Sequence, residues 1–127
     1  MKHFNILVCL RIFIAISGCF SVLFGAWSAH AGSFLTIEQQ NSLSTALRYQ
    51  FIHTLALLAV TVWYSINPHR FLLCAGLLFT LGVLAFSGSI YLKTLLGLSG
   101  ASQFAPIGGI AMALGWLCLI LVGEKKS

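Results

Sequence analysis

A chain of 127 residues that is 59% hydrophobic and only 7% charged has too little polar material to cover a soluble core of this size. Its mean hydropathy of +0.99 points to a bilayer as solvent. The net charge of +5 arises without any basic run that would suit nucleic acid, so topology is left to explain it.

The first apolar stretch ends in "GAWSAHAGS", residues 25–33, where Ala29-His30-Ala31 has the form of a secretory cleavage site. A lipobox-like "ISGC" at residues 16–19 precedes it. Against cleavage, the hydrophobic region from Ile12 to Trp27 is at or beyond the roughly 7 to 15 residues usual in a removed signal. Ser17, Ser21, Gly25 and Ala29 also recur every fourth residue, a ridge of small side chains that lets a neighbouring helix approach. A retained first span over about 12–31 is therefore expected, with Arg11 reaching back to the headgroups. Removing it would still leave a membrane protein, since three apolar stretches follow.

After it, Thr36 and Gln39 in "TIEQ" make a capping-box pattern, and Glu38 sits at the positive end of the new helix dipole. A helix from there to Ile66 would be about 45 Å long, exceeding the hydrocarbon core by about 15 Å. The polar stretch "EQQNSLSTALR" is thus expected to project beyond the membrane as an extension of the second span, 49–66. Asn67-Pro68-His69-Arg70 is a tight turn, because proline forbids helix continuation and pushes its predecessor out of the helical region. The third span is expected over 71–95 and the fourth over 106–123, joined by "LGLSGASQFAP", with Pro106 suited to a first helical turn. The whole is one four-span domain.

With the N-terminus inside, the inner side carries Lys2, Arg11, Arg70, Lys125 and Lys126, and the outer side Arg48 and Lys93. That bias obeys the positive-inside rule and predicts both termini in the cytoplasm. The fourth span repeats the small-residue device in Ala105, Gly109 and Ala113, next to Gly108, and the third offers Gly88. The four cysteines, Cys9, Cys19, Cys74 and Cys118, have neither CxxC nor Cys/His spacing and read as small buried hydrophobes.

In this topology His53 lies about 8 Å inward from Arg48 and Ser87 and Ser89 about 6 to 9 Å inside the same face. His30, Arg48, Gln50, His53, Ser87, Ser89 and Tyr91 then gather in the outer half of one bundle. The bland interpretation is packing: His53 bonds Ser87 or Ser89, and Gly88 lets the helices close on one another. The sharper one makes the cluster a shallow pocket for an ion, a proton or a polar headgroup, since an ionisable residue within a span is a functional hypothesis by default. A metal site from His30, His53 and Glu38 is a third, weaker possibility without local ligand spacing. Glu38 and Glu124 are the only carboxylate side chains, and neither a nucleophile–histidine arrangement nor a phosphate loop is present. Neither catalysis nor a cofactor is expected. The chain reads as a structural or interaction protein, partnered by lipid and by further copies or a larger membrane complex. The alternative is a small transporter, channel or ligand-binding unit using the outer cluster.

"GAWSAHAG", "LRYQFIHTLALLAV", "FSGSIYL" and "PIGGIAMALGWLCLILVG" resemble, in the same order and at similar spacing, the YgdD/YwdK-like family of small bacterial membrane proteins of unknown function. The resemblance covers about residues 12 to 123, and Trp27 and Ser28 depart from the usual Gly-Ala-Phe-Gly-Ala-His pattern. It implies an all-α, four-helix protein of the inner membrane with its first helix retained. It brings no substrate and no catalytic residue with it.

Overall fold

The computed structural model describes residues 2–123, which are helical throughout apart from short connections. The order is α1 (Lys2–Ala31), α2 (Ile37–Ile66), α3 (Arg70–Leu96) and α4 (Ala105–Cys118). Short 3-10 turns follow α1 at Gly32–Phe34, precede α4 at Ser99–Phe104 and extend it at Leu119–Leu121. Four segments, Asn5–His30, Ile37–Ile66, Arg70–Leu96 and Ser99–Leu121, are long and apolar enough to cross a membrane. Glu124 and the two lysines Lys125 and Lys126, which contribute to the basic bias, lie outside the described residues.

The helix ends follow from local chemistry. At the start of α2 the Thr36 hydroxyl accepts from the Gln39 N–H at 3.0 Å, and the Gln39 side chain accepts from the Thr36 N–H at 3.0 Å. This reciprocal box satisfies two of the donors that every helix start leaves open. Asn67 and Pro68 break the chain after α2, and His69 then caps α3 by accepting from the Phe71 N–H at 3.1 Å. α3 ends at Gly97, whose φ of 70° is the left-handed conformation that glycine adopts without steric cost.

α2 and α3 form the middle of the bundle, and α1 and α4 flank it with most of their surface turned outward. A cluster of Val60, Tyr64, Leu72, Ala75 and Phe79 fills the centre near the α2–α3 turn. There the Asn67 amide donates to the Gly123 carbonyl at 2.8 Å, tying the end of the described chain to that turn. The outward face is apolar, with Ile16 and Ile107 among the many large exposed side chains. In water this would be a liability; against lipid it is the expected surface.

Close helix contact is a matter of absent side chains. A Cβ on Gly108 of α4 would stand 2.3 Å from the backbone nitrogen of Phe86, and one on Gly82 of α3 would meet Met112 at 2.2 Å. A Cβ on Gly115 would strike the Phe79 ring at 2.7 Å. α4 therefore buries Gly108, Met112 and Gly115 against α3. The ridge expected from Ala105, Gly109 and Ala113 is displaced: Ala113 is exposed, Ala105 half-buried, and a Cβ on Gly109 would only touch Phe86 at 4.0 Å. Adjacent helical residues point about 100° apart, so Gly108 and Gly109 cannot both face α3. A further correction concerns Gly88, where a Cβ would meet nothing within 4 Å and no helix approaches. On α1, Ser17 and Ser21 are buried, a Cβ on Gly25 would come within 3.2 Å of Leu47, and Ala29 is exposed. The cysteines also differ from expectation: Cys9, Cys19 and Cys74 are exposed on the outward apolar surface and Cys118 is half-buried.

Candidate functional site

Two separate polar arrangements join helices within the bundle through side-chain to side-chain hydrogen bonds. The first joins α1, α2 and α3 around Gln50. Tyr91 donates its hydroxyl to the Gln50 Oε1 at 2.6 Å, and the Gln50 amide donates to the Ser17 Oγ at 3.0 Å. Ser17 and Thr54 share a hydroxyl bond of 2.8 Å, and Ser21 donates to the Ser17 carbonyl at 2.8 Å. Phe20 and Phe24 of α1 set their rings edge-on to Tyr91, with centroids 5.6 and 5.2 Å away. Between α1 and α3 a cavity of about 230 Å³ opens, whose walls include Phe13, Ile16 and Leu84 and whose floor includes Ser17, Gln50 and Tyr91.

The second arrangement centres on His53 of α2, buried beside Phe79 of α3 and reached by Trp116 of α4. Its Nδ1 lies 2.8 Å from the Tyr49 carbonyl oxygen, and its Nε2 lies 2.9 Å from the indole Nε1 of Trp116. A carbonyl can only accept and an indole N–H can only donate. The ring therefore carries its proton on Nδ1, donates it to Tyr49, and accepts from Trp116 as a neutral imidazole. Phe79 and Trp116 both stand edge-on to it, with centroids 5.5 and 5.8 Å away.

This geometry overturns the expected contact between His53 and the serines of α3. Ser87 donates to the Ala46 carbonyl of α2 at 2.7 Å, and Ser89 donates to the Phe86 carbonyl of its own helix at 2.9 Å. The two serines point about 200° apart around α3, so they could not share one partner. His53 instead turns toward α4. Arg48 and His30 are exposed and stand outside both arrangements. Among the described residues no three His, Cys, Asp or Glu side chains converge as metal ligands would, so His30, His53 and Glu38 are not brought together. No buried side-chain nitrogen or oxygen among the described residues lacks a hydrogen-bond partner.

Sequence reasoning overlooked Trp116, Thr54, Gly82 and Gly115. Trp116 was legible in principle: an indole N–H in a span needs an acceptor, and His53 is the one imidazole in the middle of a span. Thr54 carried no such signal, because a hydroxyl in a helix can always return to its own backbone.

Compared with known proteins, residues 24–109 match the family model described as "Protein of unknown function (DUF423)". The chain belongs to this family. It is 34% identical to a UPF0382 membrane protein of Haemophilus influenzae over 90% of this chain and 91% of the relative. It is 35% identical to the UPF0382 inner membrane protein YgdD of Escherichia coli over 92% of this chain and 89% of the relative. With a UPF0382 membrane protein of Staphylococcus aureus the identity is 35% over 98% of each chain. No solved structure matches. Four apolar helices together with these relatives make the chain a multi-span membrane protein. The matched stretch contains Gln50, His53 and Tyr91, whereas Ser17 and Trp116 lie outside it.

Proposed function

We propose that this DUF423 protein is a packing and interaction protein of the inner membrane, without a reaction of its own. The observation that carries this reading is the neutral His53 held between Tyr49 and Trp116. A catalytic base, a proton carrier or a metal ligand needs a free lone pair, and this imidazole has none. Gln50 is likewise consumed by Ser17 and Tyr91. What the chain offers to partners is its outward apolar surface, above all on α1 and α4. Across it the natural partners are lipid and the helices of a second copy or a larger membrane complex.

In this reading the termini lie in the cytoplasm, supported by Lys2, Arg11, Arg70, Lys125 and Lys126 on one side against Arg48 and Lys93 on the other. The first turns of α2 project past the hydrocarbon on the outer side, supported by their composition and by the capping box at Thr36. A photo-crosslinking residue placed in intact cells at Ile16, Leu84 or Ile110 tests the reading. A discrete protein adduct at one or more positions is expected. Adducts to lipid alone at all three would overturn the interaction role.

A further inference from the structure

The first turn of α2 and the last turn of α3 meet at one end of the bundle, and the groove between them is polar. A cavity of about 280 Å³ there is lined by Thr36, Glu38, Gln39, Ser42, Lys93 and Thr94. Through Glu38 and Ser42 it continues into a second space of about 470 Å³, lined also by Asn41, Thr45, Ile37 and Ile90. One carboxylate and one ammonium thus share a wall. Neither forms an ion pair with another described residue.

The level of this groove follows from helix geometry. Lys93 lies 23 residues beyond Arg70 on the unbroken helix α3, a rise of about 35 Å. That slightly exceeds the roughly 30 Å of hydrocarbon, so with Arg70 in one headgroup layer Lys93 stands in the other. Glu38, facing the same cavity, stands there too. A surface charge pair normally closes on itself or on water, for little gain; here the two groups line one cavity together with the hydroxyl residues Thr36, Ser42 and Thr94 and the amide of Gln39, without pairing.

We propose that this groove seats the zwitterionic headgroup of an aminophospholipid. Lys93 takes the phosphate, Glu38 takes the primary ammonium, and Ser42, Thr94 and Asn41 supply hydrogen bonds to the ester and phosphate oxygens. The charges set the selectivity. Glu38 repels a purely anionic headgroup from a site that Lys93 alone would open to it, and Lys93 does the same to a simple amine. Ile37, largely exposed, and Ile90 line the same space and offer the glycerol and acyl chains an apolar contact that a soluble zwitterion does not use. The proposal rests on the reading that the first turns of α2 project into the headgroup layer.

The test uses the full chain purified in mild detergent and titrated with phosphatidylethanolamine, phosphatidylglycerol or soluble phosphoethanolamine, with bound lipid counted by native mass spectrometry. Phosphatidylethanolamine is expected to be retained at least tenfold better than the other two. Glu38→Gln and Lys93→Gln should each reduce its retention about tenfold, and the exchanged pair Glu38→Lys with Lys93→Glu should restore most of it. Equal retention of the two lipids, or no effect of either single substitution, overturns the seat. Soluble phosphoethanolamine binding as well as the lipid overturns the lipid assignment. Separately, Asn41→Cys in a chain lacking the four native cysteines is exposed to a membrane-impermeant maleimide in spheroplasts. Labelling with no lipid selectivity sinks the seat alone, and absence of labelling sinks the projection of α2 and the seat with it.

Discussion

Trp116 and His53 hold each other across the bundle through a single bond of 2.9 Å, the indole donating and the imidazole accepting. It ties α4, one of the two flanking helices, to the middle of the fold.

Breaking that bond from either side should cost similar amounts. His53→Leu leaves the Trp116 N–H without an acceptor, and Trp116→Phe leaves the His53 Nε2 without a donor. Each is expected to lower thermal stability in detergent by about 0.6 to 1.7 kcal/mol. The double variant should lose less than the sum, since both remove the same interaction. Melting curves of the four proteins decide this; strictly additive losses would show that the two residues are not bonded.

The glycines divide into two groups with opposite expectations. Gly108→Ala and Gly82→Ala force a methyl into space already occupied by Phe86 and Met112, an overpacking cost of about 1 to 3 kcal/mol. Gly88→Ala meets open space and should be neutral or slightly stabilising, since alanine is the better helix former. The comparison needs only the melting temperatures of three single variants, and a Gly88→Ala variant as damaged as Gly108→Ala would contradict the packing described.

Crosslinking reads the α1–α2 contact directly. The hydroxyl oxygens of Ser17 and Thr54 are 2.8 Å apart, so cysteines at these positions, in a chain lacking the native four, should form a disulfide under mild oxidation. A pair at His53 and Ser89 should not, because Ser89 points away from α2. The reverse pattern would restore the contact that the fold replaces.

Reporter fusions at Ser127 and within residues 38–44 should report opposite sides of the membrane, with the C-terminal fusion cytoplasmic. Should the fusion within 38–44 also be cytoplasmic, the assignment of the α2 extension to the outer side fails.

Four apolar helices could be read from the sequence because apolar stretches of spanning length, separated by Pro68 and by the glycines near residue 100, leave few alternatives. The capping box at Thr36 was legible for a similar reason: it is local, and both partners lie within one turn. The candidate site was not legible to the same degree. Depth along each span placed His53, Ser87 and Ser89 at one level, but depth says nothing about rotation. Rotation decided that His53 meets Trp116 and Phe79 rather than the serines of α3, and that Gly108, about 100° around the helix from Gly109, is the one pressed on the Phe86 backbone. Smallness alone also misled at Gly88, where an absent side chain leaves a gap instead of a contact.

Each of the side-chain bonds between helices joins a later helix to one made before it. Synthesis delivers α1 to the bilayer first, where Ser21 is already satisfied by the carbonyl of Ser17. α2 then brings Thr54 and Gln50 to Ser17, α3 brings Tyr91 to the waiting oxygen of Gln50, and α4 brings Trp116 to His53. Each arriving helix supplies the partner for a polar group that the previous ones had carried into lipid without it. The partners are thus arranged as a relay along the chain, and a chain arrested before α4 would contain the partners of every one of these links but the last, that of His53.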